Sequence, residues 1–426
     1  MFKQNNGQVA QVRTSEKIFY GWMIVLACFG INAVVHGIRY SYSVFFKSLG
    51  SEFDLSRGAT SGISSVYWII CAAFALLGGW LLDRYGPRKI IFIMGIITAV
   101  SLVATSQANA WWQLFFSYSL LLAAGTGAVY SVLMTTTQRW FYKKRGTAVG
   151  IVSSGVGVGT IIMTPLAAYL ISILDWRMTY LIMGLVLGAI FVCLSLPLQR
   201  NPSDIGLLPD GVKYSPPGKT ANTRNDSSEH SYSLSRALRT IDFWMVAIIW
   251  FLWAFSLLLV LTHLVPHLTD LGIPPTRAGV ISGLIGVVSM VGRLGIGWVS
   301  DRIDRKVSTI ISIVLQAGSL FLLAWSQQMW MFYLFVVIYG VGYGGLDPAT
   351  LALVGDIFGT RNLGRIMGAL LVFWPLGAGA GSVVGGILFD ATGNYFVAFL
   401  LTASFMLVAC ICAFLIKRNK KITDVA

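Results

Sequence analysis

Twelve stretches of mostly apolar sequence, each near or beyond the ~20 residues a helix needs to cross a bilayer, follow one another along this chain. They fall at about 19–46, 58–82, 90–107, 111–139, 146–173, 177–197, 242–269, 276–300, 307–325, 329–357, 364–390 and 395–416. Hydrocarbon offers backbone N–H and C=O groups no partners, so such runs must become helices that satisfy themselves. Composition agrees. The 426 residues are 56% hydrophobic and 11% charged, against roughly 25% charged in a soluble domain. The reading is an all-α, polytopic membrane protein. Its first apolar run is too long for the core of a signal peptide and is expected to remain as a span.

The formal charge of +14 lies in short loops between apolar runs. That is the pattern of membrane topology, not of a nucleic-acid face. Alternate loops, counted from the N-terminus, hold 25 of the 31 Lys and Arg residues. The opposite loops hold Lys47, Arg57, Arg177 and Arg277. The positive-inside rule then places both termini and the long 198–240 loop in the cytoplasm of a cell in whose inner or plasma membrane the protein sits. That loop carries turn and disorder composition, as in Pro216-Pro217-Gly218. It divides the chain into an N-terminal six-helix bundle (1–197), a cytoplasmic linker (198–240) and a C-terminal six-helix bundle (241–426).

The halves repeat. Gly79-Trp-Leu-Leu-Asp-Arg-Tyr-Gly-Pro-Arg-Lys89 recurs as Gly297-Trp-Val-Ser-Asp-Arg-Ile-Asp-Arg-Lys306. One offset of 218 relates Asp83 to Asp301, Arg84 to Arg302, Gly127 to Gly345, Gly146 to Gly364 and Gly150 to Gly368. Parallel halves with a site near the midplane are a transporter design. Asp83, Arg84, Asp301 and Arg302 fall at cytoplasmic helix ends, where ion pairs and helix-terminus contacts can act as a gate.

The Gly-x-x-x-Asp-Arg-x-Gly-x-Arg loop after the second span resembles the signature of the major facilitator superfamily. Other segments resemble its bacterial oxalate/formate antiporter and monocarboxylate transporter branch. They are Phe19-Tyr-Gly-Trp-Met-Ile-Val25, Arg139-Trp-Phe141 before Arg145-Gly146, the run from Arg200 to Gly211, and His263-Leu-Val-Pro-His267 with Thr269-Asp-Leu-Gly272. Their order along the chain makes the match specific. The resemblance implies two pseudo-symmetric six-helix bundles rocking about a central cavity. It also implies an Arg in the eighth span for an anionic substrate. The second loop copy has Asp304 in place of Gly86, so its turn must be built differently.

Three charged residues lie deep in the spans: Arg39, Arg293 and Asp347. A guanidinium stays charged at any working pH, and burying one in a span costs at least ~2.5–3.5 kcal/mol. Arg293 lies seven residues from Ser300, about 10 Å from the helix end. Its fork suits a carboxylate, so it reads as the substrate anchor or as a structural partner of Asp347. Asp347 reads as the proton-coupling acid or as that permanent partner. In the coupling scheme, substrate on Arg293 frees Asp347 to take a proton. Arg39 and His36 share a face of the first span. They read as attracting anions at the outer vestibule, or Arg39 as snorkelling outward. Mammalian monocarboxylate transporters place a Lys near this point, where Tyr40 stands here. Tyr130 and Tyr343 are candidate hydroxyl donors, and Trp374 a candidate apolar lining.

From Met367 to Phe389 there is no Lys or Arg. Oxalate-transporting relatives use a second cation in that span. Its absence favours a monoanion such as lactate or pyruvate. Gly155, Gly157 and Gly159, with Gly377, Gly379 and Gly381, read as close-packing positions of gate helices. His263 and His267 read as interfacial residues, a pH-sensitive gate or zinc-like ligands, the last least favoured. Cys28, Cys71, Cys193, Cys410 and Cys412 lie within apolar runs and read as small core hydrophobes.

The expected function is secondary active transport of small monocarboxylates, with proton symport ahead of oxalate/formate-type exchange. No metal or cofactor is called for, and the expected partners are a small organic monoanion, a proton and the lipid bilayer. A monomer is usual for such a fold. A membrane enzyme lacks a catalytic constellation here, and a primary pump lacks a nucleotide-binding motif. A non-transporting substrate sensor would carry a sizeable soluble output domain, which the 198–240 loop is too short and polar to supply.

Overall fold

The computed structural model describes residues 19–141, 145–207, 232–300, 302–359 and 363–416. Among these described residues, twelve helices are long and apolar enough to cross a membrane. They are α1 (Tyr20–Glu52), α2 (Arg57–Tyr85), α3 (Pro87–Ser106), α4 (Trp111–Trp140), α5 (Arg145–Ile173), α6 (Trp176–Ser195), α7 (Ile241–Asp270), α8 (Pro275–Ser300), α9 (Arg305–Ala324), α10 (Met329–Phe358), α11 (Leu363–Leu370 with Phe373–Thr392) and α12 (Phe396–Leu415). Several outrun their apolar stretch. At 33 residues, α1 is about 50 Å long, which exceeds a hydrocarbon core of ~30 Å. Its polar end therefore projects from the bilayer.

Successive helices alternate in direction, so the start of α1 and the end of α12 share one face, here the terminal face. The connections at 53–56, 107–110, 174–175, 271–274, 325–328 and 393–395 lie on the far face. Sequence supplies the stops. Ser56 caps α2 by accepting from Ala59 N, and Asp175 caps α6 by accepting from Met178 N. Gly86 joins α2 to α3 at φ +77°, a left-handed conformation that glycine adopts without a Cβ penalty, and Pro87 opens the next helix. The second copy of this turn is built without that glycine. Asp304 stands at φ −57° and its carboxylate accepts from Lys306 N at 2.8 Å, capping α9.

Two spans differ from a simple continuous helix. α4 contains a π-helical stretch at Phe115–Leu121 and a turn at Gly127–Ala128. α11 is interrupted at Leu371–Val372. Both lie in unbroken apolar sequence, where hydropathy registers length but not helical register.

The halves meet chiefly through α2 with α11, α5 with α8, and α1 with α7. Glycines set those approaches. A Cβ on Gly157 of α5 would lie 2.5 Å from Gly286 O of α8, and one on Gly379 of α11 would lie 3.0 Å from Ser65 O of α2. Gly155 and Gly159 face α1, while Gly377 and Gly381 face α7 within their own half. The close-packing reading of both triplets therefore holds. In each, the middle glycine serves the opposite half.

Candidate functional site

Arg293 lies on the α8 face that meets both α10 and the first half of the chain. Gly292 packs on Val341 O and Gly344 on Ser289 O, contacts that leave no room for a Cβ and draw α8 and α10 together. Arg293 Nη1 donates to Ser153 O of α5 at 3.0 Å, across the boundary between halves. Its Cζ lies 5.8 Å from the Tyr343 ring centroid. Arg293 Nε is buried without an acceptor, an unusual state for a charged donor. Tyr343, Asp347, Tyr130 and Tyr40 surround it within electrostatic reach.

Asp347 follows Tyr343 by one helical turn and precedes Pro348, which cannot donate a backbone N–H. No ion pair within 4.0 Å joins it to Arg293, so the two do not form the permanent bridge that was one reading of the sequence. Tyr130 of α4 lies near both. His36 Nδ1 is 3.0 Å from Asn32 O, and its ring sits edge-on to Tyr40 and Tyr130. The structure thus brings Arg293, Asp347, Tyr130, Tyr343 and His36 into one layer between the halves.

Arg39 is buried within the first half and does not snorkel. Its Nε donates to Tyr67 Oη at 2.6 Å and its Nη2 to Thr126 O at 2.8 Å. Cζ lies 5.1 Å from the Trp68 ring. Thr126 immediately precedes the Gly127–Ala128 turn of α4, so Arg39 ties α1 to α2 at the place where α4 departs from regular helix. Arg39→Gln is expected to strand these acceptors and cost about 2–4 kcal/mol. The check is a lower thermal midpoint of the purified protein in detergent.

Beside Arg293 runs a closed ring of five aromatics. Tyr40 meets Trp68 (6.5 Å between centroids), Trp68 meets Trp374 (5.2 Å), Trp374 meets Trp253 (6.4 Å) and Trp253 meets Tyr343 (6.1 Å). Tyr343 in turn lies within electrostatic reach of Tyr40. The ring crosses between the halves twice, from Trp68 to Trp374 and from Tyr343 to Tyr40. Trp374 belongs to it. Trp68 and Trp253 went unrecognised in the sequence, where single tryptophans in apolar runs carry no positional signal.

The far face is closed by ionic contacts between the halves. Arg57 at the start of α2 pairs with Asp270 at the end of α7 (2.7 Å) and donates to Tyr395 Oη (2.6 Å). Lys47 pairs with the same Asp270 at 2.7 Å. Asp390 accepts from Arg57 N and Gly58 N at 2.9 and 2.6 Å, where the α2 dipole favours an anion. Tyr395 Oη also lies 3.2 Å from His263 Nδ1, and His263 Nε2 lies 2.8 Å from Ser382 O. The sequence offered one clue: far loops nearly free of basic residues still carried Lys47 and Arg57. Towards the terminal face, a Cβ on Gly150 of α5 or Gly295 of α8 would meet nothing within 4 Å. Among the described residues, the ion pairs that join the halves, Lys47 and Arg57 with Asp270, lie at the far face.

Arg57 and Asp270 side chains are 20% and 30% exposed, so solvent screens the pair. Asp270→Asn is still expected to favour far-face opening by about 1–2 kcal/mol, because two cations lose one shared acceptor. Spin labels at Ser51 and Asn394 would report a longer-distance population. An unchanged distance distribution would remove the lock from the mechanism. Of the gate residues expected from the repeat, Arg84 and Arg302 are exposed at the terminal face. The Asp83 side chain and Asp301 lie outside the described residues.

The family model described as Major Facilitator Superfamily matches residues 28–325 and 264–425. The chain belongs to the Major Facilitator Superfamily. It is therefore a multi-pass membrane transporter, in a class of transporters and not of enzymes. Curated relatives within the superfamily include monocarboxylate transporter 13 of Rattus norvegicus, 25% identical over 390 residues, covering 91% of this chain and 87% of the relative. Monocarboxylate transporter 12 of Xenopus laevis is 26% identical over 409 residues, covering 92% and 87%. Among solved superfamily structures, a bacterial homologue of the human lysosomal transporter Spinster, inward-facing and unoccupied, matches with a TM-score of 0.73 at 16% identity, covering 94% of this chain and 97% of that one. A point mutant of the nucleoside transporter NupG matches at 0.72 and 15%, covering 93% and 99%. These two structural likenesses support the fold.

Proposed function

We propose that this transporter carries small monocarboxylates of the lactate or pyruvate type by alternating access, coupled to a proton. The observation that carries the reading is Arg293, a permanent cation between the halves with one carbonyl partner and a buried, unpartnered Nε. A substrate carboxylate supplies what that guanidinium lacks. Tyr130 and Tyr343 flank it as hydroxyl donors, with His36 behind Tyr130 and Trp374 lining the apolar side. Arg39 holds the helices that present His36 and Tyr40. The absence of a Lys or Arg from Met367 to Phe389 limits the site to one carboxylate. The names of the curated relatives support the same class.

Asp347 takes the proton in this scheme. With Arg293 engaged by substrate, the carboxyl in its low-dielectric surroundings gains by neutralisation. The terminal face is the cytoplasmic one and the protein works as a monomer. The far-face lock around Arg57 and Asp270 alternates with a gate at Asp83, Arg84, Asp301 and Arg302 on the terminal face. Reconstituted protein should accumulate labelled lactate under an inward proton gradient. Asp347→Asn should abolish that accumulation while counterflow continues. Gradient-independent exchange by the wild type would favour an anion exchanger, and accumulation by Asp347→Asn would remove this carboxyl from coupling.

A further inference from the structure

A cleft of about 420 Å³ opens on the far face between the halves. The first half supplies one wall, from α1 and the end of α5. The second half supplies the other, from the end of α7 and its connection to α8. The floor is apolar and buried, with Val44, Ala168, Val265 and Pro266. The rim carries Lys47, Ser172 and Pro275, all exposed. Such a volume is within the range of small-molecule sites, about 300–1,000 Å³. The cleft is separate from the site around Arg293. Along α5, Ala168 of the floor lies about 22 Å beyond Ser153, the carbonyl partner of Arg293, at 1.5 Å per residue.

The charges at the rim are unevenly satisfied. Lys47 pairs with Asp270 at 2.7 Å and has no other partner among the described residues. An ammonium has three N–H donors, so two remain for a ligand. Asp270 is engaged on both sides, by Lys47 on one oxygen and by Arg57 at 2.7 Å on the other. The helix ends point the same way. At the end of α7, Leu271 N, Gly272 N and Ile273 N close on His267 O, Thr269 O and Leu268 O. At the end of α5, Ser172 Oγ and Leu174 N close on Tyr169 O and Leu170 O. Both helices thus cover carbonyls of their last turns. α8 begins at Pro275 on the same rim, and a helix N-terminus favours an anion. The spare polar capacity of the cleft is therefore that of a donor, set above an apolar floor. An anionic head with an apolar tail matches both parts.

We propose that this far-face cleft binds the anion of a medium-chain aliphatic carboxylic acid, with its carboxylate at Lys47 and its tail on the floor, and that the occupant holds the far face closed. The apolar floor selects the chain length, because a three-carbon acid would leave most of the volume empty. The walls belong to different halves, so the cleft exists in this form only while the halves meet at the far face. A ligand that fits it has a higher affinity for that state and draws the population towards it. The coupling is reciprocal: whatever opens the far face weakens the ligand by the same factor. The inference goes beyond the transport reading and is independent of Arg293 as carboxylate anchor.

Octanoate is the probe and octanamide its uncharged counterpart. Binding to the full-length protein in nanodiscs is measured by isothermal titration near neutral pH, with empty nanodiscs as the blank. Octanoate should bind at least about tenfold more tightly than octanamide. Lys47→Gln removes the ammonium and Ile171→Trp fills the cleft from α5, so each should weaken octanoate at least about tenfold. Arg293→Gln should change its affinity less than about threefold. The effect on gating is read in Asp270→Asn, whose far face is expected to open in part. With spin labels at Ser51 and Asn394, saturating octanoate should reduce the long-distance population at least about threefold. No octanoate binding, or octanamide binding as tightly, overturns the inference and leaves the reading of Arg293 standing. Binding that is lost in Arg293→Gln but kept in Lys47→Gln and Ile171→Trp moves the acid to the central site, which also overturns it. An unchanged distance distribution with octanoate bound overturns its hold on the far face. The octanoate–octanamide comparison uses the wild type, so it decides the matter even should a cleft variant fold poorly.

Discussion

Arg293→Gln should abolish monocarboxylate uptake, by at least about 100-fold, while raising the thermal stability of the protein in detergent. The two effects have one cause. A charge-assisted fork to a carboxylate contributes about 1.5–3 kcal/mol per bond, and on the proposed anchoring the substrate would engage two such donors. Losing them costs two or more orders of magnitude in affinity. In the empty protein the same guanidinium is a liability. It satisfies one carbonyl, Ser153 O, and leaves Nε buried without an acceptor. Replacing a poorly paired buried charge removes its desolvation penalty, and Asp347, left without a cation, can neutralise by taking up a proton instead of remaining as an uncompensated charge. Arg293→Lys should transport poorly as well, since an ammonium lacks the planar fork. The measurement is initial uptake in proteoliposomes beside a melting curve of the same preparation. Preserved uptake would dismiss Arg293 as the anchor. Lost uptake with a lowered melting point would recast it as structural, the behaviour expected of Arg39→Gln.

That contrast between two arginines shows where sequence reasoning reached and where it stopped. Both were recognisable as costly intramembrane charges, because charge and hydropathy are one-dimensional properties. Their different fates were not recognisable. Arg39 finds Tyr67 Oη 28 residues away and Thr126 O 87 residues away. No local pattern announces a carbonyl beside a turn in α4. Arg293 finds one carbonyl, Ser153 O, 140 residues away in the other half, and its Nε finds no acceptor. The twelve spans were legible because each must exceed a fixed length in apolar residues. The glycine triplets of α5 and α11 were legible because an uncharged helix rich in glycine has few uses other than close approach. The lock at the far face was not. Arg57, Asp270 and Asp390 lie near the ends of three separate helices, and their meeting depends on how the halves are docked. The aromatic ring was hidden for the same reason, since its members come from five different helices.

Gly386→Leu should lock the transporter open at the far face and reduce transport to background, with each half still folded. Gly386 sits on α11 where it crosses α2. A Cβ there would overlap Ser61 Oγ and Arg57 O, both in the opposite half. Backbone cannot yield as a flexible side chain can, so Leu at this point cannot coexist with the closed far face. The neighbouring glycine provides the comparison. A Cβ on Gly385 would meet His263 within the same half, at 2.5 Å from its ring. Substitution at Gly385 should therefore disturb packing inside the C-terminal half and lower its stability. Gly386→Leu instead acts on the equilibrium between states. A shift that displaces a two-state protein almost entirely requires about 5.5 kcal/mol, and forced overlap with backbone exceeds that unless the helices separate. Separation breaks the contacts of Asp390 with Arg57 N and Gly58 N and carries Asp270 away from Arg57 and Lys47. Spin labels at Ser51 and Asn394 should then show a single long distance in Gly386→Leu, against the short distance expected from the closed far face. Asp270→Asn should give a mixture of the two. A short distance in Gly386→Leu would mean that α2 and α11 do not part during transport, and the far-face lock would then be a fixed joint.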